Sequence, residues 1–305
     1  MFILKLVTID HSGSRHLGVK LDNNVFDITA ALKAFPEDGI PTDIMSVIAN
    51  SETVIPGLER YIARVLEGAT AKSAYLLDES QVSYGPCVTN PGKIICVGLN
   101  YRKHAEETNA AIPQYPILFN KFNNTIAAPG DDIPLPNRVT SQVDYEAELV
   151  IVIGKQAKYV SKEQALSHVF GYCNVNDLSA RDLQMRTQQW LLGKSCDKFS
   201  PLGPYLVTAD EVGDPNQLTI TCTVNGETRQ SSHTSDMIFH CDEIVSYISQ
   251  HMTLSPGDII LTGTPEGVVL GKPVDQRVYL KHGDVVTIEI EKLGALTNRM
   301  VDEQV

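Results

Sequence analysis

The sequence lacks the features that would place it at a membrane or on nucleic acid. In its 305 residues no apolar run approaches the roughly 20 needed to cross a bilayer. Met1 to Asp10 alternate and gain charge too soon to form the long apolar core of a secretion signal. Positive charge is scarce: Lys and Arg total 25 against 37 Asp and Glu, a net charge of −12. A field of that sign repels phosphate backbones and anionic bilayers, so neither nucleic acid nor membrane is an expected partner. The six cysteines (Cys87, Cys96, Cys173, Cys196, Cys222, Cys241) are scattered, with no C-x-x-C spacing. In a chain expected to be cytoplasmic they read as small buried apolar residues. Without a secretion signal, Asn123-Asn124-Thr125 carries little weight as a glycosylation sequon. No G-x-G-x-x-G or G-x-S-x-G occurs. Gly267 to Gly271-Lys272 only echoes a phosphate loop: the spacing is one residue short, and Pro273 replaces Ser or Thr.

What is present is an ordinary folding composition, 43% hydrophobic and 20% charged, with length for one large or two smaller domains. Short β-type runs fall at Phe2–Ile9, His16–Leu21 and Val25–Ile28, with a turn at Asp22-Asn23-Asn24. Helical patterns follow at Thr42–Ala49, with Thr42 as N-cap, and at Leu58–Glu67. These suggest a small α+β domain over residues 1–90, closed by a Gly/Pro-punctuated linker at Tyr84–Pro91. From there to residue 305 strands dominate: Ile94–Val97, Tyr145–Ile153, Val169–Val175, a hairpin turning at Asn225-Gly226, Asp258–Leu261, Val285–Glu291 and Ala295–Val301. Helices are expected from Ser161, where Gln164 completes a capping box, and over Asp242–Gln250. The expected class is α+β, mostly β.

Five segments carry candidate chemistry. In Asp144-Tyr145-Glu146-Ala147-Glu148, residues two apart share a strand face, so Asp144, Glu146 and Glu148 point one way and Val150 and Val152 continue that face. Acids leading into a buried apolar run are costly unless paired or metal-bound, although a strand end can also be solvated. Asp177 sits where a strand gives way to a helix and can be an N-cap; Arg181 and Gln184 follow at helical spacing and share its face. His104 and Glu107, three apart, are aligned by one helical turn, and an imidazole oriented by a carboxylate can take a proton from water; the same spacing is common on plain surfaces. Lys194, in Gly193-Lys194-Ser195, is either a surface charge or a cation for a developing enolate. The glycines of Thr262-Gly263-Thr264-Pro265-Glu266-Gly267 allow backbone to approach a ligand.

The ordered set Tyr145-Glu146-Ala147-Glu148-Leu149, Asn176 to Gln184, Gly193-Lys194-Ser195 and Gly263 to Val268 resembles the fumarylacetoacetate hydrolase family over about residues 92–301. The resemblance implies a mixed β-roll catalytic domain, a homodimer and one divalent cation held by Glu146, Glu148 and Asp177. It implies a water-activating pair in His104 and Glu107 on a lid segment, an enolate-facing Lys194, and substrate contacts from Lys121, Arg181, Gln184 and Thr264. Three carboxylates without Cys or His favour a hard cation, Mg²⁺ or else Mn²⁺. The expected substrate is a small 2-oxo acid that passes through an enolate. Hydrolysis of an acylpyruvate such as fumarylpyruvate is the preferred reaction. Oxaloacetate decarboxylation and isomerisation of a muconate-type product are alternatives in the same pocket, and a non-catalytic metal-binding scaffold is the alternative of another class. Asn109 to Pro116 reads as a loop able to order over substrate.

Overall fold

Continuous apolar runs with no polar alternation need partners on both sides, and they become strands sandwiched between two layers. A computed structural model describes residues 4–68 and 74–304; Phe2 and Ile3, expected in the first strand, lie outside the described residues. The chain opens with β1 (Lys5–His11), β2 (Ser14–Leu21) and β3 (Asn24–Asp27), then α1 (Ile28–Ala34), α2 (Ile44–Ala49), α3 (Ser51–Gly68), β4 (Leu76–Asp78) and β5 (Tyr84–Gly85). Next come β6 (Ile94–Gly98), α4 (Arg102–Glu107), β7 (Ile117–Lys121), β8 (Ile126–Ala127), β9 (Asp132–Leu135), β10 (Val143–Asp144) and β11 (Ala147–Ile153). The middle of the chain holds α5 (Lys162–Ala165), β12 (Val169–Asn176), β13 (Ser179–Ala180), α6 (Arg181–Gln184), α7 (Leu191–Lys194), β14 (Ser200–Thr208) and α8 (Ala209–Val212). It ends with β15 (Thr219–Val224), β16 (Glu227–His233), α9 (Cys241–His251), β17 (Ile259–Leu261), β18 (Val285–Ile290) and β19 (Gly294–Asp302).

Twelve strands form one mixed sheet in the order β4-β3-β2-β1-β14-β12-β11-β17-β6-β7, with β5 added to β1 and β8 to β14. A second sheet of five strands runs β16-β15-β18-β19-β9. Every residue of β11 and β12 is buried. Leu149, Ile151 and Ile153 of β11 pack in the core shared with the five-stranded sheet and α9. Val150 and Val152 face the other way, into a core with Ile44, Ile48, Leu58 and Ile62 of α2 and α3. The mixed, strand-rich architecture agrees with the expected class.

The amino-terminal strands do not close a sheet of their own. Lys5 and Leu6 pair with Val207 and Leu206 of β14, and Leu6 and Leu206 join the same core as Val150 and Val175. The expected linker is itself held, with Tyr84 and Gly85 paired to Ile9 and Thr8.

Local details depart from the sequence expectations in three places. Helix α2 is capped by Asp43, whose side chain accepts from the Ser46 amide at 2.9 Å, and not by Thr42; a carboxylate also complements the positive helix N-terminus. Helix α3 begins seven residues before Leu58 and contains Pro56, because its buried residues Leu58, Tyr61, Ile62 and Val65 are held by the sheet against the local cost of proline. Ser161 precedes α5, but its hydroxyl makes no capping bond.

Because both segments share one sheet and one core, they should unfold together. Leu6→Ala, at a fully buried position, is expected to destabilise the whole chain by about 2–5 kcal/mol. Urea unfolding followed by circular dichroism should give one transition at lower midpoint; loss of an amino-terminal transition alone would contradict the shared core.

Candidate active site

The acid-rich segment does not run as one strand. Val143 and Asp144 pair with Ala180 and Ser179 in a separate ribbon, Tyr145 and Glu146 break the ladder, and β11 starts only at Ala147. Asp144 therefore leaves the expected common face. Its carboxylate accepts from Arg181 Nε at 2.8 Å and from the amides of Val269 and Leu270 at 3.0 and 3.1 Å. Glu146 and Glu148 meet Asp177 instead, which follows directly on the adjacent β12. One carboxylate oxygen from each of the three lies within 4.8 Å of the others, and all three residues are buried.

Asp177 is no helix cap. Helix α6 begins at Arg181, while the Asp177 amide donates to Glu146 O at 2.9 Å and ties the two acids together. The expected pairing of Arg181 with Asp177 is likewise replaced. Two Arg181 nitrogens donate hydrogen bonds, Nε to Asp144 and Nη1 to Gln184 Oε1 at 2.9 Å, while Nη2 lies 2.7 Å from Glu146 Oε1 as an ion pair. Arg181 and Gln184, expected as substrate contacts, both line the cavity beside the acids, where Arg181 is also tied to Gln184 Oε1, Asp144 and Glu146.

Two lysines complete the cluster. Lys194 Nζ lies 2.7 Å from Glu146 Oε2 and 2.6 Å from Asp177 Oδ2, and Lys121 Nζ pairs with Asp177 Oδ1 and donates to Phe199 O at 2.7 Å. Burial opposes ionisation of Glu146, but Lys194 and Arg181 outweigh it and hold the carboxyl down at about 2. Burial likewise opposes the charge on Lys194, and Asp177 and Glu146 more than restore it. Glu148 is the exception. Burial, then the charges of Asp177 and Glu146, push it well above the usual carboxylate range, and the Gly263 amide at 2.8 Å offsets only part of this.

Four buried carboxylates (Asp144, Glu146, Glu148, Asp177) therefore face three buried cations (Lys121, Arg181, Lys194). The cluster is short of positive charge, and the acid without a lysine or arginine partner is Glu148. An all-oxygen donor set with that deficit fits a hard divalent cation, with Glu146, Glu148 and Asp177 as the residues that would hold it.

A cavity of about 700 Å³ beside the cluster is lined by Glu146, Glu148, Arg181, Gln184, Lys194, His104, Glu107 and Thr264. Asp177 and Lys121 lie behind the wall. On α4, His104 Nδ1 is 2.7 Å from Glu107 Oε1, and Glu107 Oε2 accepts from the Gly267 amide at 2.9 Å. With Nδ1 occupied, Nε2 is the ring nitrogen left for the cavity. The segment after α4 has no regular structure; its Thr108, Asn109 and Ala110 reach the cavity, while Ile112 and Tyr115 are exposed.

Several organising residues carried no recognisable sequence signal. Gln230, buried on β16, accepts from the Ala147 amide at 2.9 Å and donates to Thr264 Oγ1 at 2.8 Å and Pro265 O at 2.9 Å. It fixes the start of β11 to the Thr264 loop, and because Thr264 Oγ1 accepts this bond, its own hydrogen is free to donate. Asn100, fully buried, donates to Thr262 O at 2.7 Å and Phe239 O at 3.0 Å and accepts from the Phe239 amide at 2.8 Å. Gly263, at φ 96°, turns its amide onto Glu148, and a Cβ there would meet Val97 O at 2.9 Å. Lys272 and Arg277 also line the cavity.

The fumarylacetoacetate hydrolase C-terminal profile matches residues 93–301. The chain belongs to the fumarylacetoacetate hydrolase family. It is 43% identical over 296 residues to a mitochondrial oxaloacetate tautomerase of Bos taurus, covering 95% of this chain and 89% of that protein. Among solved structures, a fumarylacetoacetate hydrolase from psychrophilic Exiguobacterium antarcticum superposes with TM-score 0.82 at 34% identity, covering 98% of this chain and all (100%) of that one. Maleylpyruvate hydrolase from Sphingobium sp. SYK-6, in complex with manganese(II) and pyruvate, superposes with TM-score 0.78 at 31% identity, covering 99% of this chain and 100% of that one. Among the described residues no helix is long and apolar enough to cross a membrane.

Lys194 reaches the acids because Gly193 lets α7 pack on α6: a Cβ at Gly193 would sit 2.5 Å from Gln184 N and 2.6 Å from Ala180 O. Gly193→Ala is expected to push α7 outward, pull the Lys194 ammonium off Asp177 and Glu146, and destabilise the fold by about 1–3 kcal/mol. Thermal unfolding and divalent-cation titration of the folded variant check this; unchanged stability with unchanged cation affinity would overturn it.

Proposed function

We propose that the chain interconverts the keto and enol forms of oxaloacetate, or of a closely similar dicarboxylic 2-oxo acid, using Mg²⁺ or Mn²⁺ held by Glu146, Glu148 and Asp177. The observation that carries this reading is that one cavity wall brings a cation-deficient acid cluster together with a carboxylate-oriented imidazole. The bound cation supplies Lewis-acid polarisation of the keto oxygen.

The protein's own groups account for the rest. His104 Nε2 takes the proton from the methylene carbon next to the keto group, and the Glu107 carboxylate steadies the imidazolium that forms. The same nitrogen returns the proton, to carbon or to oxygen according to direction. Thr264 donates its free hydroxyl hydrogen to the developing oxyanion. Lys194 and Arg181 hold Glu146 in its ionised form, and Lys194 and Lys121 pair with Asp177. Arg181 acts as a positioning residue through Asp144, Glu146 and Gln184 Oε1, and the Gln184 amide nitrogen, on the cavity wall, is left to contact the substrate. Lys272 and Arg277 remain as the cations for a distal carboxylate. Arg277 is itself steadied by Leu270 O at 2.8 Å and Lys272 O at 2.9 Å, and this end of the cavity favours a dicarboxylate.

The sequence alone favoured hydrolysis of an acylpyruvate. The tautomerase reading takes precedence because of the 43% identity to a relative of that activity along nearly the whole chain. Hydrolysis remains the second reading, favoured by the likeness to a maleylpyruvate hydrolase at 31% identity; in that reaction the same His104–Glu107 pair activates a water.

The decisive experiment follows the enol of oxaloacetate by ultraviolet absorbance, acylpyruvate cleavage and pyruvate release in parallel, with Mg²⁺, Mn²⁺ or EDTA. Enol conversion is expected to dominate and to vanish with EDTA and in Glu148→Gln. His104→Ala should lower kcat by about 10²–10⁴-fold. Faster acylpyruvate cleavage would transfer the assignment to hydrolysis, dominant pyruvate release from oxaloacetate to decarboxylation, and cation binding with no turnover to a scaffold. For the distal end, Arg277→Ala should raise KM for oxaloacetate about 10–100-fold, the worth of a charge-assisted hydrogen bond, while a monocarboxylic 2-oxo acid is unaffected; equal effects on both would remove Arg277 from recognition.

A further inference from the structure

We propose that the amino-terminal meander carries a second metal site, for a divalent transition ion such as Zn²⁺, built from His11, His16 and Asp27. It does not depend on the function proposed above. The strand registers place these residues together. His11 lies opposite Ser14 on β2, and Asp27 on β3 lies opposite Gly18. Ser14, His16 and Gly18 alternate onto one face, so His11, His16 and Asp27 converge there. Their donor atoms lie within 4.8 Å of one another.

His11 Nε2 and His16 Nδ1 both lie 3.2 Å from the same oxygen, Asp27 Oδ2. These contacts are hydrogen bonds, and they hold the donor atoms at the spacing that ligands of one ion adopt. Two ligands each 2.0–2.1 Å from a tetrahedral Zn²⁺ are separated by about 3.3 Å. The two rings tilt at 59° with centroids 4.7 Å apart, so they are not stacked.

The surroundings match a metal site as well. Asp27 Oδ1 accepts from the Ala30 amide at 2.9 Å at the start of α1, which fixes the carboxylate and leaves Oδ2 as its single ligand atom. The other nitrogen of His16, Nε2, is 3.3 Å from Ser14 Oγ, the kind of partner that fixes the tautomer of a ligating imidazole. Val7, Ile9 and Val25 form an apolar floor beside the cluster. Side-chain exposure rises from 3% at Asp27 through 18% at His16 to 46% at His11, so an ion has a path from solvent and room for a water ligand. Two imidazoles and one carboxylate select Zn²⁺, Co²⁺, Ni²⁺ or Cu²⁺ over Mg²⁺, the opposite preference to the all-oxygen cluster. An ion here would staple β1, β2 and β3 to the start of α1.

The test is titration of the metal-free chain with ZnCl₂ in excess Mg²⁺, comparing wild type, His11→Ala/His16→Ala and Glu148→Gln. Asp27 is spared because it also caps α1. The double variant is expected to bind one equivalent of Zn²⁺ fewer than wild type and to lose a Zn²⁺-dependent rise in Tm, while Glu148→Gln keeps both. With Co²⁺, wild type should show visible d–d absorption that the double variant lacks. Circular dichroism and a cooperative thermal transition without Zn²⁺ establish that the double variant is folded. Equal Zn²⁺ stoichiometry in wild type and the folded double variant, or no difference between their Co²⁺ spectra, would overturn the proposal.

Discussion

The structure is organised around a buried charge deficit. Asp144, Glu146, Glu148 and Asp177 lie below the surface with only Lys121, Arg181 and Lys194 to balance them. Removing charges from water is costly, and the cost is recovered only by close pairing and further hydrogen bonds. Each acid but one obtains an ammonium or guanidinium partner. Glu148 obtains a single backbone amide, and burial, then the charges of Asp177 and Glu146, raise its proton affinity. A divalent cation turns the cluster from one charge negative to one charge positive. With such a cation in place, the pocket would attract an anion rather than repel it.

That arrangement explains why so much of the chain is spent on holding the site. Glu146 must leave the ladder to face Arg181 and Lys194, so the strand breaks at Tyr145 and Glu146 and the loose end is tied down elsewhere. Gln230 holds Ala147 to the Thr264 loop, the Asp177 amide holds Glu146 from the other side, and Asp144 secures Arg181 together with the amides of Val269 and Leu270. The two faces of β11 and β12 give the rigid frame. One carries the acids at its open end and the amino-terminal helices beyond them, and the other packs on the five-stranded sheet. The amino-terminal segment thus backs the strands that bear Glu148 and Asp177.

Sequence patterns reveal what is local. Apolar runs disclosed β6, β11 and β12, and the ordered motifs disclosed the residues that converge on the cavity, because fixed backbone geometry makes spacing informative over a few residues. Partner choice across the sheet was not legible. Period-two alternation put Asp144 with Glu146 and Glu148, but the break at Tyr145 sends it to Arg181. Helical spacing put Arg181 with Asp177, but the helix starts four residues after Asp177. Gln230 and Asn100 were invisible for a related reason: a buried amide contributes through bonds to distant backbone, and nothing in the neighbouring residues encodes which backbone that will be. The start of α3 at Ser51 differs from expectation because tertiary packing outweighs single-residue preference.

The net charge of −12 sets a last constraint on how the site works. At physiological ionic strength the field of distant surface charges is screened beyond about 8 Å, so the global excess of acid neither steers an anion in nor strongly bars it once it is at the cavity mouth. Recognition then rests on charges within the cavity, and these are divided by depth. Lys121, Arg181 and Lys194 are consumed by the acids, leaving Lys272 and Arg277 along the wall as the cations with no acid partner among the described residues. A substrate negative at both ends meets positive charge at both ends only when the deep cluster carries its cation. A substrate negative at one end has no use for the outer pair. The distribution of charge along the cavity, more than its volume, is therefore what would separate one 2-oxo acid from another.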